Sequence, residues 1–276
     1  MSHLIEPAEL LGRLEEPGLR VVDCRFVLGS PGAGEQLWLE GHIPGASYLD
    51  VDRDLSAPPS DAGRHPLPAR ADFEAAARGA GIGAESRVVA YDEAGEGGAA
   101  RLWWLLRHFG GPAALVLNGG LRAWREAGGP LRAGAEDVPP GDLDAADPEA
   151  GDAVTLDQLA DVPLLLDARA PERYRGEVEP VDAVAGHIEG ARNLPFAELQ
   201  PEGRFLGPAA LRERLAAAGV TAGRGAVAYC GSGVTASTLV LAAELAGLGP
   251  MRLYPGSYSE WTRRGMPVAQ GPEARQ

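Results

Sequence analysis

The chain contains two copies of one sequence pattern, and this duplication constrains its fold more than any other feature. Four blocks of the first copy recur in the second copy in the same order. The pairs are LRVVDCR (19–25) with PLLLDAR (163–169), EGHIPGAS (40–47) with AGHIEGAR (185–192), AGIGAESRVVAYDE (80–93) with AGVTAGRGAVAYCG (218–231), and LVLNGGLRAWREAGGPL (115–131) with MRLYPGSYSEWTRRGMPV (251–268). Chance does not place four similar blocks in one order, so we predict a duplicated domain.

Spacings within the copies support the duplication. Asp23 precedes His42 by 19 residues, and Asp167 precedes His187 by 20. The stretch between the copies is rich in proline, glycine and acidic residues and has no apolar periodicity, which is typical of a solvated linker. The predicted boundaries are a first domain at 1–129, an acidic linker at 130–153 and a second domain at 154–276.

Short apolar runs alternate with helical patterns in each copy. RVVAYD (87–92) and AVAYC (226–230) are apolar on both faces, which predicts buried strands. Helical patterns flank these strands at 68–82, 100–110, 207–220 and 235–249. The alternation predicts an α/β fold in which each domain is a parallel sheet with helices on both faces. Functional sites in such folds form at the carboxyl ends of strands, and Cys230 follows such an end.

The sequence CGSGVTA at 230–236 joins a predicted strand to a predicted helix. Its two glycines allow a tight turn and leave no side chain over the sulfur. Backbone N–H groups of the loop and of the helix N-terminus can then point at one place and stabilise an anion there. A thiolate or a persulfide on Cys230 would be held by these donors, so we predict that Cys230 is a nucleophile. A buried structural cysteine is the alternative, but it would not explain the glycine-rich turn.

The first copy has Asp92 at the position of Cys230. A carboxylate cannot carry sulfur as a thiolate does, so we expect only the second copy to perform covalent chemistry. The other cysteine, Cys24, lies inside an apolar run, and its counterpart in the second copy is Ala168. We predict that Cys24 fills the core.

Composition narrows the range of partners and compartments. The net charge of −14 and the pI near 4.8 argue against nucleic acid or a membrane as a partner. The chain has no lysine, which excludes Schiff-base chemistry on a lysine. Two cysteines and five histidines without ligand spacing do not predict a zinc site. With no signal-peptide pattern and no long apolar run, we expect a cytoplasmic protein.

Four motifs together resemble those of the tandem-domain rhodanese-like sulfurtransferases, which include thiosulfate sulfurtransferase and 3-mercaptopyruvate sulfurtransferase. The motifs are GHIPGA (41–46), DARAPERYRG (167–176), CGSGVTA (230–236) and YPGSYSEW (254–261). The resemblance implies that the active thiolate takes a sulfane sulfur from a small donor and becomes a persulfide. The sulfur then passes to a small thiol, to a thioredoxin-like protein or to cyanide. The resemblance implies no metal or organic cofactor.

The resemblance also assigns roles around the cysteine. The Gly-Ser-Gly sequence after Cys230 is similar to that of mercaptopyruvate enzymes, whereas thiosulfate enzymes often have basic residues there. Ser232 is expected to relay a proton with His42, whose alternative role is to support a turn. Arg173 matches the donor-binding arginine, because a guanidinium holds a carboxylate or sulfonate with two parallel hydrogen bonds. The loop residues expected to contact the donor are Gly231, Gly233, Val234 and Thr235.

One departure from the family bears on the choice of donor. Mercaptopyruvate enzymes usually have a second arginine within a Glu-Pro-Arg run, and this chain has Val181 at that place. We therefore predict sulfurtransfer with 3-mercaptopyruvate somewhat favoured as donor, and thiosulfate-to-cyanide transfer as the alternative main activity. A non-catalytic sulfur-relay or redox-sensing module is an alternative of another class. A cysteine phosphatase is disfavoured because it requires an arginine after a five-residue loop, where this chain has Ala236.

Overall fold

The computed structural model describes residues 3–148, 150–223 and 225–272. The chain forms two compact units. The first comprises Met1–Ala57, Leu67–Glu149 and Glu202–Arg204, and the second comprises Pro58–Pro66, Ala150–Pro201 and Phe205–Gln276. The boundaries expected from the sequence differ from these units chiefly at Pro58–Pro66, which belong to the first sequence copy but to the second unit.

Nine α-helices, three short 3-10 helices and eleven short strands account for the regular structure of the described residues. The helices are α1 (Pro7–Leu11), α2 (Ala33–Glu40), α3 (Arg70–Gly79), α4 (Gly98–His108), α5 (Gly120–Glu126), α6 (Pro171–Tyr174), α7 (Pro208–Ala217), α8 (Ala236–Leu245) and α9 (Ser257–Arg263). The strands are β1 (Leu4–Ile5), β2 (Leu19–Asp23), β3 (Ser47–Tyr48), β4 (Arg87–Tyr91), β5 (Ala114–Leu117), β6 (Leu165–Asp167), β7 (His187–Ile188), β8 (Arg192–Asn193), β9 (Val227–Tyr229), β10 (Arg252–Leu253) and β11 (Val268–Ala269).

The first unit has a parallel sheet in the order β1-β5-β4-β2-β3. Its central strands are valine-rich and almost wholly buried, as expected for strands that are covered on both faces. Tyr91, Leu121 and Trp124 lie in the core cluster beside this sheet. Four-residue and five-residue strands of this kind gain their stability from packing, because their backbone hydrogen bonds alone contribute little net free energy.

The second unit has a parallel sheet in the order β10-β9-β6-β8, together with an antiparallel pair of β7 and β11. Its core contains Tyr229, Tyr254 and Tyr258, all fully buried. The four helical patterns predicted from the sequence appear as α3, α4, α7 and α8, and the two predicted central strands appear as β4 and β9. The predicted α/β class with two parallel sheets is confirmed.

A buried ion pair follows the same strand in each copy. Asp23 accepts a 2.6 Å hydrogen bond from Arg25, and Asp167 accepts one of the same length from Arg169. All four side chains are almost completely buried, and each guanidinium also donates to a backbone carbonyl. A buried arginine and aspartate stabilise a fold only when both are paired in this way. The aspartate and arginine that the DCR and DAR motifs share are therefore explained by this buried ion pair.

Cys24 and the predicted linker have different outcomes. Cys24 is fully buried, which confirms its assignment to the core, and burial raises the pKa of its thiol well above the usual value.

The linker expected at 130–153 is not uniformly solvated. Leu143 and Ala145 are buried, and Glu136 accepts a hydrogen bond from the backbone N–H of Gly45. Apolar side chains within the acidic stretch anchor it to the first unit. Among the described residues, no helix is long and apolar enough to cross a membrane.

Candidate active site

The sulfur of Cys230 lies directly after the carboxyl end of β9, where the chain turns toward α8. The backbone N–H of Gly233 points at this sulfur, with a nitrogen–sulfur distance of 3.1 Å. Gly233 has a φ of +81°, and a Cβ on it would lie 2.4 Å from the carbonyl oxygen of Pro255. Only glycine fits this turn, and the turn is what directs the N–H at the sulfur. One backbone donor of the expected nest, the N–H of Gly233, therefore lies at the sulfur of Cys230.

The remaining loop residues complete the turn. Val234 is buried, and Thr235 is the N-cap residue of α8. Their carbonyl oxygens accept hydrogen bonds from the backbone N–H groups of Ser237 and Thr238. The loop and the first turn of α8 thus form one continuous hydrogen-bonded structure. The sulfur sits near the N-terminal end of this helix, where the backbone partial charges favour an anion.

A second loop, the YPGSYSEW motif, supports the cysteine loop from one side. The Oγ of Ser257 accepts a 3.1 Å hydrogen bond from the backbone N–H of Cys230, and Ser257 itself has a φ of +55°. Tyr258 donates its N–H to the carbonyl oxygen of Cys230, and Ser259 donates its N–H to that of Gly231. A serine in the left-handed region is strained, and such strain persists only where the surroundings hold it in place. The motif therefore fixes the position of Cys230.

Asp92 occupies the equivalent place in the first unit. Its carboxylate accepts hydrogen bonds from the backbone N–H groups of Gly95 at 2.6 Å, Gly97 at 3.0 Å and Ala99 at 3.2 Å. Gly95 corresponds to Gly233, so the same donor position serves a carboxylate in one copy and a sulfur in the other. The donor position of the first unit is thus occupied by a carboxyl group of its own chain.

Ser232 forms a hydrogen bond with a histidine, but the histidine is His65 and not His42. The Nδ1 of His65 lies 2.7 Å from the Oγ of Ser232, and both side chains are buried. His65 belongs to the segment Pro58–Pro66, which packs in the second unit. The expected relay between Ser232 and His42 was therefore wrong in its histidine.

His42 has a structural position within the first unit. Its Nδ1 lies 2.7 Å from the carbonyl oxygen of Trp38, its Nε2 lies 3.2 Å from Glu136, and its ring stacks on that of Trp38. His187 repeats this arrangement in the second unit, with its Nδ1 2.7 Å from the carbonyl oxygen of Tyr174 and its ring stacked on that residue. Because both copies use the histidine in the same way, it supports the fold around a turn.

Arg173 lies beside the cysteine loop and is held by acidic side chains. Its guanidinium donates to Glu179 at 2.6 Å and to Asp182 at 3.4 Å. Burial raises the pKa of Glu179, but hydrogen bonds from Arg173 and from the backbone of Asp182 and Val181 outweigh this effect and lower it below the usual value. Glu179 is therefore a carboxylate at neutral pH and orients Arg173.

Two arginines rather than one flank Gly231. A Cβ placed on Gly231 would lie 3.1 Å from Nη2 of Arg64 and 3.6 Å from Nη2 of Arg173. Arg64 also donates from Nη1 to Asp182 at 2.8 Å. Sequence reasoning did not find Arg64 or His65. One signal was available in the sequence. The connection from GHIPGA to the next helix is longer in the first copy than in the second, and this longer connection contains GRHPLP (63–68).

The sequence pattern of the rhodanese-like domain matches residues 6–127 and again residues 152–264. The chain belongs to the rhodanese-like family. It is 46% identical to a probable 3-mercaptopyruvate sulfurtransferase of Pseudomonas aeruginosa, over 98% of this chain and 99% of that protein. It is 42% identical to a putative thiosulfate sulfurtransferase of Mycobacterium tuberculosis, over 94% of this chain and 93% of that protein.

Solved structures of the family are similar in fold as well. The crystal structure of the 3-mercaptopyruvate enzyme SseA from Escherichia coli aligns with a TM-score of 0.80 and 31% identity, over 94% of this chain and all of that chain. The corresponding enzyme from Leishmania major aligns with a TM-score of 0.81 and 32% identity, over 95% of this chain and 74% of that chain. The tandem organisation predicted from the repeat is shared with these rhodanese-like proteins.

Proposed function

We propose that this protein is a sulfurtransferase that carries sulfur as a persulfide on Cys230. The observation that supports this most directly is the cysteine sulfur at the end of β9, 3.1 Å from the backbone nitrogen of Gly233. Relatives at 46% and 42% identity bear sulfurtransferase names. A thiolate and a persulfide have the same charge, so one set of donors serves both states of the enzyme.

The chemistry proceeds in two half-reactions. In the first, the Cys230 thiolate attacks the transferable sulfur of the donor, which is the thiol sulfur of 3-mercaptopyruvate or the outer sulfur of thiosulfate. With 3-mercaptopyruvate the carbon–sulfur bond breaks, and its electron pair stays on carbon, which must gain a proton to give pyruvate. With thiosulfate the sulfur–sulfur bond breaks and sulfite leaves. In the second half-reaction a thiolate or cyanide attacks the outer sulfur of the persulfide and restores the Cys230 thiolate.

Ser232 and His65 favour 3-mercaptopyruvate as the donor. The leaving carbanion of that donor requires a proton, and the hydroxyl and imidazole that share a 2.7 Å hydrogen bond form a proton relay two residues after the nucleophile. Sulfite requires no proton to leave. Arg173 would bind the donor carboxylate through charge-assisted hydrogen bonds. Val181 at the position of the family's second arginine favours thiosulfate instead, which keeps thiosulfate-to-cyanide transfer as the second candidate activity.

The acceptor is proposed to be a small thiol, a thioredoxin-like protein or cyanide, each of which can attack the outer sulfur. We place the protein in the cytoplasm, where reducing conditions preserve a free thiol. The structure contains two free cysteines, and Cys24 is fully buried within the first unit. Cys230 is therefore the thiol to follow in a sulfur-loading experiment.

The deciding experiment compares 3-mercaptopyruvate and thiosulfate as donors, with the Cys230→Ser variant as control. We expect the wild-type protein to gain the mass of one sulfur atom on the peptide that contains Cys230, and the variant to show neither this gain nor turnover. Substantial turnover by a folded Cys230→Ser variant would contradict the proposal. Higher kcat/KM with thiosulfate would favour the second candidate activity. Absence of transfer from both donors would favour a sulfur-relay or redox-sensing module.

A further inference from the structure

Arg64 is held against the cysteine loop by several contacts within the second unit. Its backbone N–H donates to the Oγ of Ser259 at 3.0 Å, and Ser259 donates its own N–H to the carbonyl oxygen of Gly231 at 2.9 Å. Arg263 on α9 donates from Nη1 to the carbonyl oxygens of Ser60 and Gly63. These contacts fix the turn that precedes Arg64. The side chain of Arg64 is 18% exposed, so most of it is already shielded from water before a ligand binds.

The guanidinium of Arg64 has a buried hydrogen-bond donor without an acceptor among the described residues. Nη1 is occupied by Asp182 at 2.8 Å. Nε is buried and has no hydrogen-bond partner among the described residues. Nη2 is the atom nearest to the Cβ position of Gly231, at 3.1 Å. Nε and Nη2 form the edge of a guanidinium that binds a carboxylate with two parallel hydrogen bonds. A buried N–H without an acceptor is costly, so it indicates a ligand that supplies the acceptor.

Asp182 couples the two arginines. Its Oδ1 lies 2.8 Å from Nη1 of Arg64, and its Oδ2 lies 3.4 Å from Nη2 of Arg173. Only 4% of the Asp182 side chain is exposed. One carboxylate therefore holds two guanidinium groups in a fixed relation beside Gly231. Asp182 and Glu179 balance the two positive charges, which lets the arginines lie close together beside Gly231.

We propose that Arg64 is a donor-binding residue, which with Arg173 forms a two-guanidinium cradle for the carboxylate of an α-keto acid donor. This inference rests on the proposed sulfurtransferase function. Arg64 reaches the site from the segment Pro58–Pro66, and it supplies the second positive charge that Val181 does not provide. A two-pronged contact with one carboxylate fixes the direction in which the thiol end of the donor points, which a single arginine does not achieve.

The cradle can be tested without turnover by alkylation of Cys230. Iodoacetate and iodoacetamide have nearly the same shape, but only iodoacetate carries a carboxylate. In both reactions the Cys230 thiolate displaces iodide and forms a carbon–sulfur bond. The ratio of the two rate constants, referred to the same ratio for glutathione, measures attraction of a carboxylate to the site. We expect this ratio to be raised in the wild-type protein and to fall about 10- to 100-fold in Arg64→Ala.

Two further variants make the test selective. Arg64→Lys keeps the charge and most of the side-chain length, so its ratio is expected to fall between those of the wild type and Arg64→Ala. It also carries the test if the alanine variant does not fold. Arg214 is an exposed arginine on α7 that pairs with Glu198, and Arg214→Ala should leave the ratio unchanged. Digestion and mass spectrometry assign the alkylated cysteine.

The steady-state counterpart is a raised KM for 3-mercaptopyruvate in Arg64→Ala with a smaller change in kcat. A ratio in Arg64→Ala equal to that of the wild type overturns the inference. So does an equal slowing of both reagents, because that result assigns Arg64 to support of the loop alone. The alkylation ratio uses resting protein, so it remains decisive for Arg64 even if Cys230→Ser retains turnover and the proposed function fails.

Discussion

The imidazole of His65 and the hydroxyl of Ser232 share a hydrogen bond of 2.7 Å, although 167 residues separate them in the sequence. Ser232 lies two positions after Cys230, so the pair can deliver a proton to the carbon that leaves the donor sulfur in the proposed reaction. His65 is 3% exposed, and its position depends on a segment that packs around α9. We therefore expect changes at this pair to affect kcat with 3-mercaptopyruvate more than kcat with thiosulfate.

Removal of this relay should affect one donor more than the other. We expect Ser232→Ala and His65→Gln to lower kcat with 3-mercaptopyruvate by about 10²-fold, because the leaving carbon must be protonated. The loss with thiosulfate should be much smaller, since sulfite leaves without a proton. Steady-state rates with both donors provide the measurement. Equal losses with the two donors would show that the pair only supports the loop.

Replacement of His42 should affect stability and not catalysis. His42→Gln removes contacts to the carbonyl oxygen of Trp38 and to Glu136, so the free energy of unfolding is expected to fall by about 1–3 kcal/mol. The folded variant should retain the wild-type kcat with both donors. Denaturant unfolding and steady-state assays check the two parts. A fully stable variant with a strongly reduced kcat would restore His42 to the active site.

The two glycines of the cysteine loop should respond differently to alanine. In Gly233→Ala the new Cβ meets the carbonyl oxygen of Pro255 at 2.4 Å on a backbone with a φ of +81°, so we expect a loss of about 1–3 kcal/mol in stability and slower persulfide formation. In Gly231→Ala the nearest atoms are the flexible ends of Arg64 and Arg173. That variant should stay stable but bind donors more weakly. Comparable destabilisation of both variants would contradict this distinction.

Asp92 should make the stability of the protein depend on pH. Burial and, next, the charge of Glu96 raise the pKa of Asp92 to about 7, although its three backbone hydrogen bonds act in the opposite direction. A carboxyl whose pKa is higher in the folded state contributes stability below its unfolded pKa. That contribution is lost as the pH rises through the folded pKa.

The free energy of unfolding should therefore contain a contribution from Asp92 that falls between about pH 4 and pH 7, by at most about 1.4 kcal/mol per pH unit. Asp92→Asn lacks this titration, so its stability should fall less steeply over the same interval. Urea unfolding of both proteins at several pH values gives the two slopes. Parallel curves would show that Asp92 has the same proton affinity in the folded and unfolded chains.

The repeat predicted the fold and the position of Cys230 at a strand end because both depend on local sequence. Alternating strand and helix patterns place Cys230 at the end of a strand, and the glycines after it require a tight turn. Comparison of the two copies also showed that Asp92 stands in the first copy where Cys230 stands in the second. These features lie within a few residues of one another, so they can be read from sequence without knowledge of the tertiary structure.

Arg64 and His65 could not be predicted in this way. They lie in a turn-rich segment with no matching block in the second copy, and their partners Ser259 and Ser232 are 195 and 167 residues away in the chain. The HIPGA motif pointed instead to His42. This histidine and its counterpart His187 each contact a backbone carbonyl oxygen and support a turn. Long-range packing, rather than periodicity or spacing, selects which histidine meets the cysteine loop.

The packing of Pro58–Pro66 in the second unit also bears on why a copy without a nucleophile persists. A gene shortened to the second copy, 154–276, would encode Cys230 and Arg173 but would lose Arg64 and His65. The two copies are thus not interchangeable modules. Deletion of the first copy would leave Ser232 without its hydrogen-bond partner His65.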